Sequence, residues 1–505
     1  MPDRLNAFSD VGLDKALLSL VIDEHHSKRV PRLEKLWTYF RNPLEPVGSV
    51  WSSRVQWRPA QYHSLPPRLI GSADQATDDR TRNNREVVIE NDIGWRIETM
   101  VDFMFGKPVQ IQSAADKPDT RTLIEEVLEK IWENSGGIAL LQDIALLGHV
   151  YGSVDLLLRI NEQALALAAP RQGRADIDRI AAAFRIEIIE PTRGIPILNP
   201  DDYRTIDAYV IHFDREINQV ERESASPRRS IFGRASTWPN SKPHRDRSRR
   251  RSTVTEIFSR GVWHRYEDDE LVAHTTSTLL AGTTPVVHIQ NVAQPFRYEG
   301  RSEVEPLIPL QDELNTRLSD RANRVTLQSF RMYLAKGMDG FDRIPVGPGQ
   351  IWTTDNPDAS VQSFGGDADS PSESVHIDEI REAMDKISGV PPLAGGVIRA
   401  KIGNLSSATA LRVTLMGLIA RTGRKRVLYG RGIEQVCAMI LRALDAAEVL
   451  RTDERDRALR LIWPNPVPAD ARDEAAVAKT KIELGIPAER VLGELGYAAT
   501  DPGIS

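Results

Sequence analysis

Residues 302–330, SEVEPLIPLQDELNTRLSDRANRVTLQSF, decide how the chain is organised. Leu307, Leu310, Leu314, Leu318, Ala322 and Val325 recur every three or four residues, which predicts one long amphipathic helix. Ser302 and Glu305 stand at capping-box spacing, with Ser302 as N-cap. Pro306 and Pro309 oppose a regular start there. They either kink the first turns or move the start to about Leu310. At about 1.5 Å per residue the segment spans roughly 30–40 Å.

On the C-terminal side, residues 331–371 lose the helical period. Glycines and prolines there surround a strand-like run, Gln350-Ile351-Trp352-Thr353. A second helix is predicted from about Val375 to Ser388, with Ile377, Ile380, Met384 and Ile387 on one stripe. That stripe reads as packing, within or between such helices. Gly389 and Pro391-Pro392 end it. Residues 393–405, LAGGVIRAKIGNL, form a glycine-bearing loop. Ser406 to about Leu450 predicts a long helix, broken at Gly423 or at Gly430-Arg431-Gly432 by glycine's low helix propensity. After Pro464, Pro466 and Pro468, two short helices are predicted over Asp473–Leu484 and Ala488–Leu495.

On the N-terminal side the chain alternates between helix and strand. Helices are predicted over Val30–Phe40, Asn84–Phe105, Thr122–Asn134 and Ile138–Leu147. Strands are predicted near 109–112, 151–160, 184–189, 208–213, 253–258, 262–266 and 286–290, with a loop over Ser64–Arg82. The fold class is α+β. Residues 224–252 interrupt it with seven serines, three prolines, nine basic residues and one acid, which cannot supply a core. This insertion is either a solvated mobile loop or a phosphate-binding arm.

A chain of 505 residues exceeds what one core usually holds. Its net charge of −6 is uneven. Residues 224–252 and 390–433 each carry a net +8, which leaves −22 on the rest. A uniformly basic nucleic-acid binder is excluded. The single cysteine, Cys437, lies in an apolar run and reads as a buried hydrophobe; no intrachain disulfide can form, which fits a reducing cytoplasm. The first residues show no signal peptide, and no apolar run approaches a membrane span.

Enzyme signatures are absent. There is no GxxxxGK[ST] phosphate loop, no HExxH, no CxxC pair and no GxSxG elbow. His25-His26 reads as a surface pair rather than a metal site. Asp201-Asp202, after Asn199-Pro200, reads as a turn. No catalytic residue, cofactor or metal site is expected.

The order of parts resembles the phage portal (head–tail connector) proteins of the large siphophage-type group. Local runs carry the resemblance as well: 102–109 (DFMFGKPV), 147–152 (LGHVYG), 285–291 (PVVHIQN), 300–303 (GRSE), 310–320 (LQDELNTRLSD), 388–391 (SGVP) and 403–411 (GNLSSATAL). Together they cover roughly residues 30–500. Each run is weak alone, and their order and spacing persuade. The 224–252 insertion is not a general feature of that family.

The resemblance implies a mixed α/β wing over 1–301, a first stem helix over 302–330, a small α/β clip over 331–371, and a second stem helix over 372–390. A tunnel loop over 391–405, a long wing/crown helix over 406–463 and a helical crown over 464–505 complete it. It implies a ring, commonly of twelve subunits, at one capsid vertex, assembled in the host cytoplasm. Double-stranded DNA would pass through during packaging and ejection. The implied partners are the terminase large subunit, which supplies the ATP-driven work, a head–tail adaptor, and the major capsid and scaffolding proteins, with no membrane involved.

Within that frame Arg399, Lys401 and Asn404 of the tunnel loop would stand nearest the DNA, or would meet acids of neighbouring subunits. Arg421, Arg424, Lys425 and Arg426 would face DNA or acidic neighbours. Ile351 and Trp352 would meet an adaptor or terminase, or form a local clip core. Another ring-forming or nucleic-acid-binding virion protein, and a metal-dependent nuclease, are the alternatives.

Overall fold

The computed structural model describes residues 15–47, 56–70, 85–168, 176–217, 250–280, 282–329, 332–336, 355–364, 371–395, 412–466, 471–488 and 491. Helix α1 (Lys15–Glu24) runs through a π-helical turn (His25–Arg29) into α2 (Val30–Arg41). Strands β1 (Leu44–Val47) and β2 (Gln56–Pro59), a 3-10 turn and α3 (Pro67–Ile70) follow. Next come α4 (Asp92–Phe105), β3 (Gln110–Ser113), α5 (Pro118–Asn134), α6 (Gly137–Tyr151) and β4 (Ser153–Ile160). Two short helices, α7 (Glu162–Leu167) and α8 (Ile177–Ala182), lead to β5 (Phe184–Ile189) and β6 (Gly194–Leu198). Then come β7 (Ile206–Ile217), β8 (Arg250–Ser259), β9 (Val262–Glu267), β10 (Glu270–Thr276) and β11 (Val286–Gln290). The 3-10 turn Glu305–Leu307 opens α9 (Ile308–Ser329), followed by β12 (Met332–Lys336), β13 (Ser360–Phe364) and α10 (Pro371–Ser388). The remainder is the turn Pro392–Gly395, α11 (Met416–Ala446), β14 (Leu459–Ile462) and α12 (Ala471–Glu483).

The chain divides into two compact units. The first comprises Met1–Leu36, Met100–Glu303 and Asn404–Ser505. It holds a five-stranded antiparallel sheet of order β10-β9-β8-β7-β6, a three-stranded sheet β11-β4-β5 and the pair β14-β3. Strand β4 explains how its layers join. Six successive residues from Ser153 to Leu158 are buried, so both faces are covered. Val154, Leu156 and Leu158 enter the main core with Leu128 of α5, Ile144 of α6 and Ile440 of α11. Leu157, on the other face, packs with Tyr209 of β7 and Phe258 of β8. Each such side chain contributes roughly 1.5–3 kcal/mol when fully buried.

Helix α11 is continuous for 31 residues, through Gly423, Gly430 and Gly432, so the expected break is absent. A Cβ on Gly432 would lie 2.3 Å from Cγ1 of Ile289, so this glycine lets β11 pack directly on the helix. Trp132 Nε1 donates to Cys437 Sγ at 3.3 Å. Burial pushes that thiol up to about 12, as a small buried hydrophobe requires.

The second unit comprises Trp37–Thr99 and Val304–Gly403. It contains the hairpin β1-β2, the antiparallel pair β12-β13, and α9 packed against α10. The residue preceding the helical turn at 305 is Val304 rather than Ser302. The hydroxyl of Ser302 instead donates to Val150 O at 2.6 Å, within the first unit. Pro306 sits in the 3-10 turn and Pro309 in the first turn of α9, where amides have no intrahelical acceptor. Gly389, at φ +70°, ends α10 by donating its N–H to Asp385 O at 2.7 Å.

Helix was expected from Asn84, but α4 begins at Asp92. Residues 85–91 are extended instead. The physical reason lies in the polar side chains of α9.

Candidate functional site

Four polar side chains of α9, at i, i+4, i+8 and i+12, hold the extended segment. Asn323 Oδ1 accepts from Glu86 N at 2.9 Å, Ser319 Oγ from Val88 N at 3.0 Å, and Asn315 Oδ1 from Glu90 N at 3.0 Å. In return, Asn323 Nδ2 donates to Glu86 O at 2.7 Å, Ser319 Oγ to Val88 O at 3.2 Å, and Gln311 Nε2 to Glu90 O. Four helical residues rise about 6.0 Å and two strand residues about 6.6 Å, so the two periods stay in register over this length. The helix thus does for this backbone what a neighbouring strand would do. Gln61 completes the buried end: Asn315 Nδ2 donates to its Oε1 at 2.8 Å, and its Nε2 donates to Tyr39 O at 3.0 Å.

On α10, Ile377, Ile380 and Met384 are buried, and Ile387 is half-buried. Charged groups frame the pair of helices. Arg324 pairs with Glu373, and His376 approaches Glu313 at 3.5 Å. Arg381 reaches Glu90 on the extended segment at 2.6 Å. At the C-terminal end of α10 stands Arg96, only 1% exposed. Its guanidinium pairs with Asp385 at 2.7 Å and Asp92 at 3.4 Å, and donates to Val390 O at 3.0 Å. Sequence reasoning passed over Arg96 because it sits among the apolar residues of a helix. Two of its partners, Asp385 and Val390, lie almost 300 residues away in the chain.

The basic cluster on α11 separates by helical phase. Lys425 is buried in the first unit and pairs with Glu303 at 2.8 Å. Burial pushes its ammonium below its ordinary range, and Glu303 draws it back up. Lys425 is therefore an internal partner and not a contact for DNA or another subunit. Arg421 lies 3.9 Å from the same carboxylate and is about one third exposed. Arg426 donates to Phe103 O at 3.2 Å and lies over the Trp463 ring, so it too is engaged within the chain. Arg424 alone of the four is fully on the outer face. His149, wholly buried near Lys425, has its imidazole driven well below the ordinary range by burial.

The surface reading of His25 is overturned. It is 4% exposed, and its Nε2 donates to Thr192 O at 2.8 Å. Asp201 and Asp202 do form a turn, their amides donating to Asn199 Oδ1 at 2.9 and 3.3 Å. Arg250, Arg251 and Ser252 belong to strand β8, with Arg251 opposite Glu216, so the expected insertion overlaps the start of that strand, and its other residues lie outside the described ones. Arg399, Lys401, Asn404, Ile351 and Trp352 lie outside the described residues. Among the described residues there is no cluster of His, Cys, Asp and Glu able to hold a metal, and no helix long and apolar enough to cross a membrane.

Helix α9, the strand pair β12-β13 and helix α10 follow one another in that order before the long α11, while the strand-like run expected at 350–353 lies outside the described residues. No curated protein matches the chain. Residues 246–495, which contain all of these elements, match the family described as phage portal protein, SPP1 Gp6-like. With that match laid over a helix, strand-pair, helix and long-helix order, the chain belongs to the phage portal protein family.

Proposed function

We propose that this portal subunit closes into a ring of twelve copies at one capsid vertex, with double-stranded DNA passing through the centre during packaging and ejection. The observation that carries the reading is the family match over residues 246–495, which spans α9, α10 and the segment between them. A ring repeats every charge once per subunit, so one residue becomes a belt. A mainly acidic body keeps the duplex centred by repulsion, while a few basic belts make transient, salt-sensitive phosphate contacts. Arg399, Lys401 and Asn404 of the 391–405 segment are proposed for that belt.

The subunit carries out no catalytic step. The terminase large subunit supplies the work and docks, with the head–tail adaptor, on the 331–371 clip through Ile351 and Trp352. Major capsid and scaffolding proteins surround the wing and crown, and assembly takes place in the host cytoplasm. Electron microscopy of the purified protein tests the ring. Rings with a central hole wide enough for a duplex support the reading, and a monomer at all concentrations refutes it. Arg399→Ala with Lys401→Ala is expected to alter packaging while rings still form. Loss of assembly instead would sink the DNA-contact role.

A further inference from the structure

The N-terminal half of α11 leaves one face uncovered. Gly417, Ala420, Arg424, Val427 and Arg431 recur at spacings of 3, 4, 3 and 4, and all are exposed. That spacing places all five on one face of the helix. Met416, beside that face, is 64% exposed and Val427 is 55% exposed. The face carries no acid from Met416 to Ile433, and Glu434 follows only at its end. Arg424 and Arg431 form no ion pair among the described residues.

A second face of the same unit has the opposite character. On α5, Asp119, Thr122, Glu126, Glu129 and Glu133 recur at spacings of 3, 4, 3 and 4, and all are exposed. Glu133 reaches Lys130 at 3.5 Å, whereas Asp119, Glu126 and Glu129 form no ion pair among the described residues.

We propose that these two faces meet between neighbouring copies of this chain, the basic and apolar seam of α11 on one subunit against the acidic seam of α5 on the next. The proposal rests on the ring reading above and names surfaces for it. Two different, complementary faces on one chain make a head-to-tail contact, the kind that closes into a ring. A protein face is the occupant the whole seam fits: the carboxylates of α5 answer Arg424 and Arg431, and Met416 and Val427 gain where the contact of two helices excludes water.

Charge reversal on the full-length protein, read by light scattering and negative-stain electron microscopy, tests this. Arg424→Glu with Arg431→Glu is expected to abolish rings, as is Glu126→Arg with Glu129→Arg. Combining all four substitutions is expected to restore them. Thermal unfolding of each variant confirms that the subunit itself is intact. Rings that persist in both paired variants overturn the interface while leaving the ring reading in place. A wild-type chain that forms no rings overturns the ring reading itself. Rings that persist while affinity for a duplex oligonucleotide falls in the arginine variant assign the α11 face to DNA instead. Failure of the combined variant to recover overturns the pairing of these two faces.

Discussion

Replacing Asn315 by leucine, a side chain of similar size, would remove the centre of the polar ladder on α9 without leaving a large void. Three hydrogen bonds end there: from Glu90 N at 3.0 Å, to Gln61 Oε1 at 2.8 Å, and from Gln311 Nε2 at 3.2 Å. Asn315 and Gln311 are both 0% exposed, so water cannot take over these bonds. A neutral hydrogen bond contributes about 1 kcal/mol net, and a buried group left without a partner costs roughly 1–3 kcal/mol. The expected loss is therefore about 3–5 kcal/mol in urea unfolding. Asn323→Ala, at the partly exposed end of the same ladder, should cost only about 0.5–1 kcal/mol. Hydrogen exchange read by mass spectrometry should show peptides covering residues 85–91 losing protection in Asn315→Leu before the body of α9 does. Equal costs at the two positions, or unchanged exchange over 85–91, would refute the idea that α9 acts as the backbone partner of that segment.

Lys425→Met should cost about 3–5 kcal/mol by leaving the buried Glu303 only the more distant Arg421 as a cation. Adding Glu303→Leu should recover most of that loss in the same urea titration. Gly430 and Gly432 of α11, two residues apart, should respond with opposite sign. Gly432→Ala meets Ile289 at 2.3 Å and should lose about 1–3 kcal/mol, whereas Gly430→Ala meets only ordinary contacts near 3.7 Å and should gain up to about 1 kcal/mol of helix propensity. Acid should weaken the first unit through Asp155. Burial raises its pKa, but His288 and the hydroxyls of Tyr209 and Tyr298 outweigh burial and hold the carboxyl below its ordinary value of 3.8. The unfolded chain therefore binds the proton first, so this contribution is present above that value and is lost as pH falls through the lower folded one. Urea midpoints taken down through this range should fall less steeply in Asp155→Asn, and an unchanged slope would refute the assignment.

The sequence was most legible where one element's own period carries the signal. The strands at 184–189 and 286–290 appear with the expected bounds, because apolar runs between turn signals are local features. The stripe on α10 was visible for the same reason. Strand β14 was not, since Leu459–Ile462 becomes a strand only by pairing with Gln110–Ser113, far away in the chain. Residues 85–91 read as helix in the sequence because Val88 and Ile89 extend an apolar pattern that local periodicity cannot distinguish from the true helix beyond Asp92. Of the candidate site residues, Lys425 and Arg426 looked identical to Arg424 in sequence, and only their phase against Glu303, Phe103 and Trp463 separates them.

By itself, then, the sequence determined the long helices, the strands with a strong local apolar pattern, the buried role of Cys437 and the family resemblance, all of which depend on spacing along one chain. Tertiary structure alone decided which cations are internal, why α11 runs unbroken through its glycines, and how an extended segment finds hydrogen-bond partners on a helix. Those outcomes depend on groups hundreds of residues apart. A buried charge or amide takes whichever partner the fold brings within about 3 Å.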